Sequence, residues 1–441
     1  MPVPVAPGRW PVLGHTPAML RRRFRFTSSL HTHGDVVRIY LGPMETYFLT
    51  SPELTHQVLV TDGGSFRKGA MFEKFRPLIG NGLAFADGAF HLRQRRLMQP
   101  AFHRDTIARH TEIMARAAAG LIRTWRPGEV READHDMQAL AVGIVGEALF
   151  STELGKAAIE EARRSIPVIV KYGMIRVLAP TFVEKLPIPA NRRFDDAIDR
   201  MRAIVLELIE DWRAEQADHG DLLSMLLLAR DAETGEGMTD QQVHDEVITL
   251  LTAGIETSAL ALSWLFHEIA QNPEVEQKLH DEVDEVLGGR QVTAGDVPQL
   301  VYTRQIINEV LRVYPIWILM RRVIKEVELG DVRLPPGSEV IVSPHAMHFD
   351  PRFHDHPERF DPGRWTGERA KNLPRGAYVP FGAGTHQCIG NSFAITEITI
   401  VVATIAAKWR LVPVPGKPVR VRYTTTAYPS RLPMTVVPRD R

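Results

Sequence analysis

The chain has 441 residues, 44% apolar and 24% charged, and its 53 basic and 53 acidic side chains give a formal net charge of +0. With a pI near 7.3, nothing in the charge balance suggests a nucleic-acid partner. A lone cysteine excludes an internal disulfide and fits a reducing cytoplasm.

Residues 1–15 are proline-rich, and Met1-Pro2-Val3-Pro4-Val5-Ala6-Pro7 has neither the span of a membrane anchor nor the apolar region of a signal peptide. The length alone would allow about three domains. No Ser/Gly linker, charge block or fixed-period repeat divides the chain, so a single domain over 1–441 is expected. Residues 35–41 and 46–50, rich in β formers and joined by Gly42-Pro43, read as a hairpin. In His91-Leu92-Arg93-Gln94-Arg95-Arg96, His91 and Arg95 fall one helical turn apart on one face, and the Arg95 fork suits a carboxylate. Taken alone, such a basic face is simply solvated.

Helical patterns dominate from 105 to 314. Within 247–266 an apolar run is interrupted by Ala253-Gly254-Ile255-Glu256-Thr257-Ser258. A buried carboxylate and hydroxyl are costly unless satisfied or functional, and glycine inside a helix costs about 1 kcal/mol against alanine. The pattern suggests either a polar notch holding water or a locally opened helix that admits a small ligand and delivers protons. Glu256 near the middle of this run argues for a core helix and against a membrane span. Asn272-Pro273 and Gly288-Gly289 bracket the cleanest helix. Glu309 and Arg312 share a helix face that Pro315 ends, by themselves no more than a weak ion pair. Residues 326–334 and 339–343 read as a second hairpin around Pro335-Pro336-Gly337. The whole reads as mainly α with small β-sheets.

Last comes Phe381-Gly382-Ala383-Gly384-Thr385-His386-Gln387-Cys388-Ile389-Gly390, followed by an apolar segment over 391–409. Glycines allow a tight turn and close approach of something large, and a helix start beyond Cys388 favours its thiolate. A lone thiol can also be a small buried hydrophobe, or a nucleophile with a distant histidine. Zinc and iron–sulfur sets require further cysteines. Among metal readings this leaves one thiolate on one iron, the axial arrangement of a heme-thiolate protein.

At these residues the chain resembles the cytochrome P450 family, in four motifs that occur in the family's order and span nearly the whole sequence. The segment ending at Gly390 matches Phe-x-x-Gly-x-His/Arg-x-Cys-x-Gly, and Ala253 to Thr257 matches Ala/Gly-Gly-x-Asp/Glu-Thr. The resemblance implies the family fold, a triangular prism with heme b (iron protoporphyrin IX) between the oxygen-activation helix and the Cys-loop helix. It makes Cys388 the iron ligand, packs Phe381 near the sulfur, and sets Gly382, Gly390, Ala253 and Gly254 against the cofactor. His91, Arg95, His386 and Arg321 would reach the propionates, with Arg322 one residue away in register. Glu256 and Thr257 would form the acid–alcohol pair that delivers protons during oxygen activation. Glu309 and Arg312, with Arg359 in Pro357-Glu358-Arg359-Phe360, would form a buried structural triad.

In the family the substrate pocket is built from the loop over 80–87, the lid over 166–189, the centre of the Glu256 helix, the segment after Pro315 and a hairpin near 424–428. Here these contribute Phe85, Val168, Val170, Met174, Ile175, Ala253, Ile316, Trp317 and Ile318. The lining implies a lipophilic, terpene-like substrate, as in secondary-metabolite or antibiotic biosynthesis. The expected enzyme is a cytoplasmic monooxygenase using dioxygen and electrons from a separate ferredoxin and ferredoxin reductase, with Arg93 and Arg96 available to an acidic ferredoxin. It would have no membrane anchor and no nucleic-acid partner. The alternative is a heme-thiolate binding or sensing protein without turnover, which would not need the Glu256–Thr257 pair.

Overall fold

The computed structural model describes residues 3–150, 153–178, 186–215, 218–315, 318–423 and 426–439. The expected pocket residues Ile316 and Trp317, the side chains of Val170, Met174 and Ile175, and residues 424 and 425 lie outside this description. The chain forms two compact units. One comprises Met1–Lys74, Asn308–Cys388 and Thr425–Ala427, the other Phe75–Ile307, Ile389–Thr424 and Tyr428–Arg441.

The first unit is built on a five-stranded sheet in the order Val36–Leu41, Met44–Leu49, Glu339–Val342, Leu319–Val323, Phe66–Lys68. The first pair is the expected hairpin, with Leu41 opposite Met44 and Gly42 in the left-handed region at φ 60°. The second expected hairpin does not form. Val327–Leu329 instead pairs with Val332–Leu334, turning at Gly330 (φ 57°), while Glu339–Val342 joins the main sheet between Met44–Leu49 and Leu319–Val323. Gly330-Asp331 is a turn signal inside the stretch taken as one strand, and Pro335-Pro336 offers no N–H to a ladder. Two apolar clusters, one around Leu49, Val340 and Val342 and one around Val37, Ile39 and Phe48, line this sheet.

The second unit is mostly helical. Its core is built from Ala133–Leu149, Glu153–Leu178, Pro189–Glu215 and Asp240–Gln271, and includes Leu149, Val205, Val247 and Leu251. Asp240–Gln271 opens with a complete capping box, Thr239 with Gln242. Among the described residues it alone is long and apolar enough to cross a membrane by length and composition, yet 56% of that apolar stretch is buried and Val243, Val247, Ile248, Leu251 and Ile255 belong to this core. Pro273–Leu287 starts at the expected proline and ends at Gly288 with φ 55°. A three-stranded sheet, Val130–Glu132, Pro433–Pro438, Trp409–Pro413, completes the unit.

Candidate active site

The residues of interest fall in both units, and each set is described within its own unit. In the first, Phe381 to Cys388 form a tight loop. The Cys388 amide donates to the Phe381 carbonyl at 2.9 Å, the Gly382 amide to Val379 at 3.1 Å and the Gln387 amide to Gly384 at 3.1 Å. Gly384 is required twice, by φ 68° and because a Cβ would lie 2.0 Å from the Leu59 carbonyl oxygen. Cys388 is exposed, and two residues later Gly390 caps the helix Asn391–Ala406. Phe381 and His386 are half-buried. On the strand Leu319–Val323, Arg321 is buried, whereas the Arg322 guanidinium is committed to Glu339 at 2.5 Å and Glu73 at 2.6 Å.

Beneath this loop lies a buried charge network, and it corrects the expected triad. Arg312 donates to Glu309 through Nε at 2.9 Å and Nη2 at 2.8 Å, and neither residue has exposed surface. The second arginine on Glu309 is Arg364, through Nε at 3.2 Å, and not Arg359. Arg359 turns its side chain outward and supplies only its carbonyl oxygen, which accepts from Arg312 and Arg364. Trp365 Nε1 and the Asp361 amide complete the shell around Glu309 at 3.0 and 2.9 Å. Asp361 also caps the short 3₁₀ turn Pro362–Trp365, which aims Arg364 inward. Buried His348 links the network to the loop. Its Nε2 accepts from the Val379 amide at 3.1 Å, so Nδ1 carries the proton and donates to the Arg312 carbonyl at 3.2 Å. Burial holds this imidazole well below its usual pKa, consistent with that neutral form.

In the second unit, His91 and Arg95 lie one turn apart on Gly88–Met98, His91 buried and Arg95 half-buried. The neighbouring arginines do not form the free basic face expected for docking. Arg96 pairs with Asp231 at 3.0 Å and Glu233 at 3.1 Å, and Arg93 donates to the Gly237 carbonyl at 3.0 Å. The Arg96 hydrogen bond holds the Asp231 carboxyl below its usual range. The protein's own acidic turn over 231–236 thus takes up these cations, a long-range pairing that local sequence does not reveal.

Asp240–Gln271 carries Ala253 and Thr257 on an accessible stripe of an otherwise largely buried helix. The expected local opening is not a break: the helix is continuous through Gly254, and the Thr257 hydroxyl donates to the Ala253 carbonyl at 2.7 Å. A Cβ on Gly254 would meet Val145 at 3.5 Å, an ordinary contact, so packing against Val145 does not demand glycine. Glu256 is half-buried, and desolvation pushes its carboxyl up to about 7. Next to this pair is a group the sequence reading missed. Ser258 donates to Glu397 Oε2 at 2.6 Å, and Glu397 is fully buried with no partner for Oε1 among the described residues. Desolvation pushes the Glu397 carboxyl up to about 8. One signal was visible, a single carboxylate in the apolar run Asn391–Ala406.

The start of the same helix fixes the loop over 80–87. Asp245 accepts from the Asn81 amide and Glu246 from the Leu83 amide, both at 2.8 Å. A Cβ on Gly82 would lie 2.1 Å from the Thr249 hydroxyl oxygen. Phe85 lies in this loop against Phe75, with 6.1 Å between ring centroids. In the lid helix Glu153–Leu178, Arg176 is paired with Asp195 at 2.7 Å and lies 4.3 Å over the Phe194 ring.

These residues fit a heme. Among the described residues no group of three or more His, Cys, Asp or Glu could hold a metal ion, so the protein offers one exposed thiol in a glycine turn instead of a cage. That donor set suits an axial ligand to a macrocycle.

Residues 4–435 match the family model described as cytochrome P450. The chain is 46% identical to cyclooctat-9-en-7-ol 5-monooxygenase of Streptomyces melanosporofaciens, covering 98% of this chain and 95% of that one. It is 44% identical to cyclooctatin synthase of the same organism, covering 97% and 94%. Pentalenene oxygenase of Streptomyces avermitilis is 36% identical, covering 98% and 97%. The crystal structure of the cytochrome P450DA heme domain superposes with a TM-score of 0.88 at 24% identity, covering 100% of this chain and 98% of that one.

Proposed function

The chain belongs to the cytochrome P450 family and is a heme monooxygenase, and from that premise we propose that it oxidises a terpene-like hydrocarbon or terpene alcohol in secondary metabolism. Two of its relatives are named for oxidising an unsaturated alcohol and pentalenene. The observation that carries the substrate class is the state of the two arginines best suited to a fatty-acid carboxylate. Arg176 is already paired with Asp195, and Arg322 with Glu339 and Glu73. Both cations are occupied, which leaves shape and apolar burial to hold the ligand.

In this reading the chain acts as one domain over 1–441, in the cytoplasm, with a separate ferredoxin and ferredoxin reductase as electron source. Heme b, when bound, would supply the iron at which dioxygen, two electrons and two protons are consumed, one oxygen atom entering the substrate C–H bond and the other leaving as water. Cys388 holds that iron through its sulfur. Phe381 packs near the sulfur, and Gly382, Gly390, Ala253 and Gly254 keep the approach clear of side chains. His91, Arg95, His386 and Arg321 hold the propionates; Arg321 is preferred to Arg322 because Arg322 is spent on two carboxylates. Glu256, shifted toward neutrality, releases a proton from its carboxyl and recovers one from water. Thr257 Oγ1 receives it and passes its own hydroxyl proton onward, which requires the hydroxyl to leave the Ala253 carbonyl.

A ligand panel tests the substrate class. Cyclic terpenes and terpene alcohols should shift the Soret band at micromolar concentration with little salt dependence, because apolar burial at about 25 cal/mol per Å² is not screened. Tighter, salt-sensitive binding of fatty acids would overturn the terpene reading and leave the monooxygenase standing.

A further inference from the structure

The chain is neutral overall, but its first 34 residues hold five arginines, Arg9, Arg21, Arg22, Arg23 and Arg25, and no acidic residue. The same stretch, in the first unit, carries four exposed large apolar side chains, Trp10 at 55%, Val12 at 85%, Leu13 at 50% and Leu20 at 50%, and Val12 is the most exposed among the described residues. Scattered exposed hydrophobes are ordinary, whereas a cluster calls for a partner.

This cluster is built and held. Trp10 and Gly14 exchange backbone hydrogen bonds at 2.8 and 3.0 Å, closing a turn whose tip is Pro11, Val12 and Leu13. Val12 sits at φ 60°, a costly conformation for a β-branched residue, and it points into solvent. The base of the turn is pinned to the strand Val36–Leu41. A Cβ on Gly14 would lie 2.3 Å from the Tyr40 carbonyl oxygen, the His15 amide donates to that oxygen at 2.6 Å, and the Arg9 guanidinium lies 3.6 Å over the Tyr40 ring. Arg21, Arg22 and Arg25 are exposed, with no ion pair among the described residues, unlike Arg96, Arg176 and Arg322. A protruding Trp/Val/Leu tip followed in sequence by unneutralised arginines has the chemistry of an interfacial anchor, with apolar groups entering the headgroup layer and guanidinium groups meeting lipid phosphates.

We propose that the Trp10–Gly14 turn and the adjoining arginines seat the protein peripherally on an anionic lipid surface, without spanning it. The occupant is a membrane and not an acidic protein because the tip is a convex apolar turn instead of a groove. The inference does not depend on the substrate assignment.

The heme-loaded full chain is sedimented with vesicles of phosphatidylcholine alone and with phosphatidylcholine containing phosphatidylglycerol, at low and high salt. Partition should be at least about tenfold greater on the anionic vesicles and fall with salt. Val12→Ser with Leu13→Ser, and separately Arg21→Glu with Arg22→Glu, should each lower it about tenfold while heme content and the reduced carbon monoxide spectrum stay unchanged. Equal partition on both vesicle types, or binding untouched by the Val12 and Leu13 changes, would overturn the proposal. So would charge reversal that slows electron transfer from an acidic redox protein without altering vesicle binding.

Discussion

Glu309 and Glu397 are two glutamates without exposed surface, one in each compact unit, and their surroundings differ in every other respect. Glu309 accepts from two guanidinium groups, an indole N–H and a backbone amide, whereas Glu397 accepts from one serine hydroxyl and has an oxygen with no partner among the described residues. Desolvation penalises a buried carboxylate in either place, and the donors decide the outcome. The first is an ion locked into a scaffold under the Cys388 loop. The second is an acid that burial drives toward its neutral form, hydrogen-bonded to Ser258, the residue after Thr257. Burial of a charged residue type therefore does not reveal its role; the count and charge of the donors around it do.

The largest effect expected from this contrast is at Glu309. Removing one partner of a fully buried ion pair leaves the other uncompensated, at about 3–5 kcal/mol. Glu309→Ala and Arg364→Ala should both yield little heme-loaded protein, while Arg359→Ala, whose side chain is exposed, should change stability by no more than about 0.5 kcal/mol. Thermal unfolding and heme content of the three variants decide this, and a severe Arg359 effect with a silent Arg364 would restore the original triad.

A functional effect without a structural one is expected at Thr257. Thr257 is exposed and, among the described residues, its hydroxyl bonds only within its own helix, so Thr257→Ala should keep heme and ligand binding. Product formed per pair of electrons should fall at least about tenfold, with the balance appearing as hydrogen peroxide, because positioned proton transfer contributes 10²–10⁴. Unchanged coupling would remove Thr257 from the relay.

Glu397 should give the smallest effect at acidic pH and the clearest sign. Its carboxyl titrates near 4.5 when unfolded and about 8 when folded, so the folded state binds the extra proton between those values. Its contribution to stability is then complete below pH 4.5 and is lost as pH rises toward 8. Glu397→Gln, which keeps the shape and a neutral group, should cost little at pH 5.5 and flatten the decline in Tm between pH 5.5 and 8.5. Parallel Tm curves for variant and wild type would show that Glu397 is not the neutral acid described.

Much of this was legible in the sequence because it depends on local chemistry. The Gly42-Pro43 hairpin, the Asn272-Pro273 start, the Gly288 stop and the glycine turn at Cys388 each follow from backbone preferences of the residues themselves. What was not legible depended on distant partners. Arg359 and Arg364 are five apart in one arginine-rich segment, and only the turn capped by Asp361 selects which one faces Glu309. Arg93 and Arg96 look like a free basic face until residues 231–237 close on them. Thr257 hides the opening expected at Gly254, since a hydroxyl that bonds back to the preceding turn leaves the helix continuous.

The measurement that tests the central claim most directly is the absorption spectrum of the reduced protein under carbon monoxide. With Cys388 as thiolate ligand the Soret band should be strongly red-shifted, and Cys388→His should lose that shift while still binding heme. A wild-type spectrum like that of a histidine-ligated globin would contradict the heme-thiolate site and the oxygen chemistry assigned to Glu256 and Thr257.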